Sequence, residues 1–235
     1  MAAVLVVVDD EDGSTDEQFE VPDGPTSSRL ISAPMMVAIA AADAGPDSRN
    51  AASLVSVAEL SPSLLTGDSI ICPLTFRLPE FLKFPGRSVY LACQDIATLR
   101  HQVSQRWPHQ VGKGQLWLPI VLTARGPLYG EVIGLAPSPS ASLPAYQQPV
   151  HLADRWRQPL YQLGFWLLAL LNAPPAVYLL QFGLQDEHLC FDRLFPFPAT
   201  PAIATIGLQT PDLFQCHWRC LTHQAILDLT ILPPR

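Results

Sequence analysis

The sequence predicts an α+β fold in which a mostly antiparallel sheet is combined with two helices, at about 95–107 and about 151–172. The first observation is the order of elements in 87–134, where a strand, a helix and a hairpin follow one another, as is typical of α+β domains. The second is the long uncharged stretch 158–185, which divides into a helix and a strand. The third is the composition, because 49% apolar and 15% charged residues in a chain of 235 are enough for a large core.

The first third of the chain is predicted to form strands that are joined by turns. Short runs rich in Val and Ile are typical of strands, and Gly, Pro and Asp residues separate them. Eight acidic residues lie within the first 28 positions, which contain no Lys or Arg. We interpret them as an exposed hairpin tip, because their spacing differs from that of an EF-hand calcium loop. The predicted strands are 3–8, 18–21, 35–42 and 69–74, and 51–60 is either a strand or a helix.

The middle of the chain is predicted to contain the strand, helix and hairpin on which the fold class depends. Residues 87–93 have strand composition, and Asp95 is suited to cap the helix that follows and ends at Pro108. Two further strands, 115–123 and 128–134, are separated by a turn that contains Gly and Pro. This order favours an α+β sheet over a doubly wound parallel one.

The segment 136–148 is predicted to be a connector without regular structure, because it contains three Pro and three Ser residues. It divides the chain into a sheet-rich region, 1–135, and a second region, 149–235, with a helix and strands. Strands of the second region are also suited to join the first sheet, so the sequence leaves open whether the regions form one domain or two.

The uncharged stretch 158–185 is long enough to span a membrane as a helix. Pro174 and Pro175 argue against a span, because adjacent prolines remove backbone donors and disfavour helical angles at the preceding residue. We therefore expect a buried helix over about 151–172, followed by a buried hairpin formed by 177–182 and 189–191. No transmembrane span is predicted.

The formal net charge of −7 arises from the N-terminal segment, since the 13 acidic residues that remain of 21 are balanced by 14 basic residues. No basic patch is visible, which argues against nucleic-acid binding, because phosphate contacts supply much of that affinity. The start does not resemble a secretory signal, and an odd number of cysteines indicates reduced thiols. These features predict a cytoplasmic protein.

The densest group of reactive side chains consists of Cys216, His217, Cys220 and His223. Cys216, Cys220 and His223 have the residue types of a zinc site when they are combined with Cys190. A cysteine beside His217 or His223 has instead the residue types of a thiol enzyme. The segment reads as a strand, and ordinary core packing of its thiols is the alternative. No nucleophile elbow, phosphate loop or dinucleotide fingerprint is present, and no cofactor is predicted.

Candidate partner-binding residues lie in and near 191–201, where three Phe alternate with three Pro. Such an extended apolar strip suits either core packing or contact with another protein. Arg and aromatic residues often dominate interfaces, and the candidates are Arg193, Phe195, Phe197 and Trp218. The sequence therefore predicts a non-enzymatic interaction or assembly factor that binds another protein. The alternatives are a Cys/His metal protein or thiol enzyme, and a peripherally membrane-associated protein.

Overall fold

The computed structural model contains eleven strands and five α-helices within the residues that it describes, which are 3–9, 28–42, 52–65, 67–106, 111–136, 145–185 and 188–233. In chain order the elements are β1 (Val4–Val8), α1 (Ser28–Ala42), β2 (Ala52–Ser56), β3 (Ile70–Pro73), α2 (Arg87–Gln94), α3 (Ile96–Arg106), β4 (Leu116–Thr123), β5 (Gly126–Tyr129), β6 (Val132–Ala136), β7 (Ala145–Val150), α4 (Asp154–Leu170), β8 (Ala176–Gln185), β9 (His188–Phe195), β10 (Gln209–Thr210), α5 (Leu213–Leu221) and β11 (Thr230–Ile231).

The N-terminal strands form a three-stranded parallel sheet in the order β2-β1-β3. Every residue of β1 is buried, as expected for a strand that is covered on both faces. The predicted strands 3–8 and 69–74 are confirmed, and 51–60 contains β2. The predicted strand 18–21 lies outside the described residues. The expectation of a mostly antiparallel sheet is therefore wrong for this part of the chain.

Two segments that were predicted as strands, 35–42 and 87–93, are helical. The first belongs to α1, in which Met35 and Ile39 lie four residues apart on the face that packs against the parallel sheet. The second belongs to α2, whose buried positions also follow helical spacing. Short apolar runs do not distinguish the two periods, which explains both errors. The helical state of α1 also explains the parallel sheet. Parallel neighbouring strands need a crossover connection, which is usually a helix, and α1 lies between β1 and β2.

The larger sheet is six-stranded and antiparallel, with the order β7-β6-β4-β8-β9 and with β5 paired to β4. The predicted strand 115–123 is confirmed as β4, and 128–134 is divided between β5 and β6. The predicted hairpin is confirmed as β8 and β9. Because β4 pairs with β8 at seven positions, this sheet includes strands from both sides of the predicted connector.

The predicted connector 136–148 is partly regular structure, because β7 begins at Ala145 and pairs with β6. β7 is an edge strand in this sheet, and an edge strand tolerates a proline such as Pro149, since one side of it needs no ladder hydrogen bond. The prolines and serines of 137–144 lie outside the described residues. The prediction that the whole segment lacks regular structure is therefore wrong.

The two predicted helices are confirmed as α3 and α4. Asp95 Oδ1 accepts a hydrogen bond from Thr98 N at 3.0 Å, as expected for a cap of α3. α4 packs on the larger sheet at Gly164, where an added Cβ would lie 2.6 Å from Ile120 Cδ1. The chain leaves α4 through Asn172, which has a positive φ of 47°, and enters β8 after the two prolines. Within the described residues, no helix combines the length and the apolar character that a membrane crossing requires.

The segment around Cys216 and Cys220, predicted as a strand, is the helix α5. A capping box fixes its start, since Asp212 Oδ1 accepts from Gln215 N at 2.9 Å and Gln215 Oε1 accepts from Asp212 N at 3.3 Å. α5 is buried because it packs against both α1 and the larger sheet. One core cluster therefore joins the parallel sheet, α5 and the antiparallel sheet.

Candidate functional site

A pocket of about 330 Å³ lies between the N-terminal and C-terminal parts of the described structure. Its walls come from four stretches, 67–73 around β3, 83–90 at the start of α2, 174–178 at the start of β8, and 217–223 at the end of α5, and from Pro196. This volume lies at the lower end of the range for pockets that bind small molecules. The pocket is therefore large enough for a small organic ligand.

His217 is the polar side chain in the wall whose bonding is incomplete. Its exposed fraction is 1%, and its Nδ1 accepts a hydrogen bond from Val177 N at 3.2 Å. Because Nδ1 is the acceptor, the neutral ring carries its hydrogen on Nε2. Nε2 is buried and has no hydrogen-bond partner within the described part of the chain. Six other buried side-chain atoms of the described structure, Arg193 Nε and Gln181 Oε1 among them, also lack a hydrogen-bond partner. His217 differs from them because it is the one of these side chains that lines the pocket, and leaving a buried donor without an acceptor is costly.

The environment of His217 keeps its ring neutral. Burial lowers the pKa of His217 to about 3, because the charged imidazolium would lose its hydration. At neutral pH the ring is therefore a hydrogen-bond donor through Nε2 and supplies no positive charge to the pocket.

The remaining walls are largely apolar. Tyr90 donates its hydroxyl to Pro73 O and Tyr178 donates its hydroxyl to Pro174 O, both at 2.8 Å. Since these hydroxyls are already bonded, both tyrosines offer mainly their rings to the pocket. Phe84 meets Tyr90 edge to face, with the ring centroids 5.2 Å apart. Three aromatic residues and five prolines are thus among the described residues that a ligand would contact.

Basic side chains occur at the exposed part of the pocket wall. Lys83 and His223 both line the pocket and both are exposed. The twenty described residues that line it include no Asp or Glu. Among the described lining residues, Lys83 is therefore the one that carries a formal charge at neutral pH, and that charge is positive.

The predicted Cys/His group is only partly brought together by the structure. Cys220 and His223 line the pocket beside His217, whereas Cys216 Sγ lies 3.5 Å from Pro211 O and Cys190 is buried on β9. Among the residues that the structure describes, no group of three or more His, Cys, Asp or Glu side chains is arranged to hold a metal ion.

The thiols also lack the properties of a nucleophile. Burial raises the pKa of Cys220 to about 12, and burial likewise raises the pKa of Cys216. A catalytic thiolate requires the opposite shift. The pocket geometry therefore favours a role for the imidazole of His217 over a role for either neighbouring thiol.

The four candidate partner-binding residues are buried. Arg193 Nε lies 3.5 Å from Asp192 Oδ1, and Phe195, Phe197 and Trp218 belong to the core. None of these side chains forms an exposed surface in the described structure. The apolar strip that suggested a contact surface is used for packing between the two sheets.

A second group of buried polar side chains surrounds Asp192. Its carboxylate accepts hydrogen bonds from Gly114 N, at 2.9 Å, and from Arg100 Nη2. Gln181 Nε2 donates to Gly114 O at 2.6 Å. A Cβ at Gly114 would lie 2.0 Å from the backbone of Phe182, so only glycine allows this close approach. The group ties the segment before β4 to β8 and β9.

The sequence analysis missed Lys83, Tyr90 and Tyr178 as parts of the site, and it considered His217 only as a neighbour of a thiol. No local pattern identifies these residues, because Lys83 and Tyr90 lie more than a hundred positions before His217, and Tyr178 lies on a different element from either. Lys83 offered a small signal, since it is one of only two lysines in the chain.

Comparison with known proteins identifies the fold. No family model matches the chain, and no curated protein matches it in sequence. Glycinamide-RNase-transformylase T from Mycobacterium tuberculosis is similar in structure, with a TM-score of 0.61 at 10% identity over 95% of this chain and 80% of that chain. The N5-carboxyaminoimidazole ribonucleotide synthetase from Thermotoga maritima gives a TM-score of 0.64 at 8% identity, over 98% of this chain and 78% of that chain.

These similarities show a shared fold. Both structures are of enzymes, and each matches nearly the whole chain. The prediction of a non-enzymatic interaction or assembly factor is therefore wrong. It depended on reading buried aromatic residues as an exposed surface.

Proposed function

We propose that the protein is an enzyme that binds a small organic substrate in the pocket beside His217. The observation that carries the proposal is the buried Nε2–H of His217, which has no acceptor among the residues that the structure describes and belongs to a side chain that lines a cavity. The fold supports it, because the two structural neighbours that match nearly the whole chain are enzymes. Fold alone does not define a reaction, so the proposal rests on the site.

His217 is the residue to which we assign the chemical role. A neutral imidazole that donates through Nε2 stabilises negative charge that develops on a substrate oxygen or nitrogen, and it does so most effectively where water is excluded. The low pKa of His217 keeps the ring in this form at neutral pH. The role is therefore that of a hydrogen-bond donor and not that of a proton acceptor.

The described wall of this pocket does not fit a magnesium-bound nucleotide. The structural neighbours are ATP-grasp-like enzymes, and ATP sites hold Mg²⁺ through one or two carboxylates together with the phosphates. The pocket wall contains no carboxylate among its described residues. The carboxylate of Asp192 is buried and bonded to Gly114 N and Arg100. We therefore assign this pocket no role in binding ATP.

Binding is tested by thermal unfolding of the full chain with a panel of ribonucleotides, their ribosides and their free bases. The panel is chosen because the Thermotoga maritima neighbour is named as a ribonucleotide synthetase. We expect at least one compound to raise the Tm. Leu221→Trp, which places a larger side chain in the half-buried pocket wall, should abolish that shift. Leu54→Trp is the matched control, because Leu54 is exposed and does not line the pocket.

Enzymatic activity is tested by mass spectrometry of each bound compound after incubation with the protein, with and without added ATP and Mg²⁺. Conversion of a compound by the native chain, reduced in His217→Asn and in Leu221→Trp, supports the proposal. No compound of the panel being bound, or binding without conversion under either condition, overturns it.

A further inference from the structure

We infer that the ligand of the His217 pocket contains a flat aromatic or heteroaromatic ring, with a neutral hydrogen-bond acceptor at its inner end and an anionic group at the opening. The inference rests on the proposed function, because it names the ligand class of the same pocket. It is carried by the chemistry and burial of the wall residues, which combine a neutral buried donor, rings and prolines, and the exposed side chains of Lys83 and His223.

The inner end of the ligand is neutral because nothing in the buried wall would compensate a charge. His217 is the donor there and stays uncharged at neutral pH. A charged group placed against a neutral donor in an apolar cavity would lose its hydration without gaining a counter-ion. A carbonyl oxygen or a ring nitrogen needs only the hydrogen bond that Nε2 offers. The acceptor is therefore of one of these two types.

The middle of the ligand is flat and apolar because the wall presents rings. The hydroxyls of Tyr90 and Tyr178 are occupied by backbone carbonyls, so the tyrosines offer no spare donor to polar groups of a ligand. Phe84, Pro174 and Ala176 extend the apolar surface. Such surfaces suit ring systems, which stack against aromatic side chains and bury their faces.

The anionic group lies at the opening because the basic residues are there. Lys83 and His223 are exposed parts of the wall, and none of the described lining residues is acidic. A lysine attracts an anion without demanding a fixed geometry. Since the pair would be exposed to solvent, its contribution is modest and decreases with ionic strength.

Three small compounds separate the two ends of the ligand. 4-Acetylbenzoate has a neutral acceptor at one end and a carboxylate at the other. Its methyl ester lacks the charge, and 4-isopropylbenzoate lacks the acceptor while keeping nearly the same shape. Binding to the full chain is measured by NMR titration at low salt, in the millimolar range expected of ligands this small.

Two variants of His217 test the inner end. In His217→Asn the side-chain oxygen is placed near the position of Nδ1, so it keeps the bond from Val177 N but removes the donor at Nε2. In His217→Gln the amide reaches the position of Nε2 and keeps that donor. We expect His217→Asn to weaken the binding of 4-acetylbenzoate about 3- to 10-fold and to leave the binding of 4-isopropylbenzoate unchanged. The affinities of His217→Gln should be closer to those of the native chain.

Substitutions of two lysines test the opening of the pocket. Lys83→Ala should weaken the binding of 4-acetylbenzoate about 2- to 5-fold at low salt and should not affect the binding of the methyl ester. Lys113→Ala is the matched control, because Lys113 is exposed and does not line the pocket. The native chain should also bind the acid more tightly than the ester.

The inference is overturned if no compound binds, if the ester binds as tightly as the acid, or if His217→Asn weakens the two acids equally. These outcomes are distinguishable from failure of the proposed function. Conversion of a ribonucleotide together with equal binding of acid and ester would retain the enzyme and reject the ligand class. The expected selectivity without conversion of any compound would retain the ligand class and reject the enzyme.

Discussion

Asp192 and His217 are both buried polar side chains, but the chain bonds the first on several sides and leaves one atom of the second without a partner. The carboxylate of Asp192 accepts hydrogen bonds from Gly114 N and Arg100 Nη2, and its Oδ1 lies 3.5 Å from Arg193 Nε. His217 is bonded only at Nδ1, by Val177 N, although its ring lines a cavity.

The difference between the two groups separates a structural role from a binding role. Burying a polar group is tolerated when its partners are supplied by the fold, and it is unfavourable when they are not. The group at Asp192 therefore stabilises the junction between the larger sheet and the segment before β4. The group at His217 lacks an acceptor that a ligand in the adjoining cavity would supply. Substitutions at the two positions should accordingly act on different properties.

The largest expected effect is on stability, from Asp192→Ala. Removing this carboxylate leaves Gly114 N without its acceptor and leaves Arg193 buried without a counter-ion. Breaking a buried charge pair typically costs about 3–5 kcal/mol of the free energy of unfolding, and we expect a loss of about 3 kcal/mol because Arg100 remains partly exposed to solvent. Urea unfolding monitored by circular dichroism measures it.

Asp228→Ala provides the control for that measurement. Asp228 is exposed and accepts a hydrogen bond from the adjacent Leu229 N, so its removal should change the free energy of unfolding by less than about 0.5 kcal/mol. Equal losses in the two variants would show that the Asp192 group does not contribute to stability as described.

The second effect is a dependence of stability on pH that arises from His217. The unfolded chain binds a proton at this residue below about pH 6.5, whereas the folded chain does so only near a pKa of about 3. Between these values the unfolded state holds more protons, so stability falls as the pH decreases. From about pH 7.5 to about pH 5, the loss due to His217 should be about 2 kcal/mol.

Comparing the native chain with His217→Asn isolates this contribution, since all other titrating groups are common to both. Over that pH interval, the free energy of unfolding should fall by about 2 kcal/mol less in the variant than in the native chain. Identical pH dependence in the two proteins would mean that His217 is not buried in its neutral form. That result would also remove the basis for assigning it a donor role.

The elements that sequence reasoning predicted correctly are those bounded by a strong local signal. Pro174 and Pro175 divide the uncharged stretch into α4 and β8, and Asp95 marks the start of α3. The errors occur at α1, α2 and α5, which are short or rich in small apolar residues. In α5 the half-buried polar residues Gln215 and Arg219 lie four residues apart, which is helical spacing. The strand prediction followed the alternation of Cys216, Trp218 and Cys220 instead.

The site depends on contacts that no single segment contains. Whether His217 donates through Nε2 is decided by Val177 N, from a strand forty residues earlier. The opening is supplied by Lys83, which is more than a hundred positions before His217. The sequence identified the reactive segment 216–223, but it assigned the chemistry to thiols, because it gave no information on their burial or on the raised pKa values that follow.

The smallest of these effects on stability is expected at Asp212, which holds the start of α5 and therefore the position of His217. Asp212→Ala removes the acceptor of Gln215 N and should lower the free energy of unfolding by about 1 kcal/mol, as for other helix caps. Asp212→Ser keeps a capping oxygen and should restore most of that loss. If the alanine and serine variants unfold at the same urea concentration, the capping box does not fix this helix. Because His217 lies two turns or less from the cap, Asp212→Ala should also weaken the binding of 4-acetylbenzoate. The effect should be smaller than that of His217→Asn, since the cap acts on the ligand only through the helix.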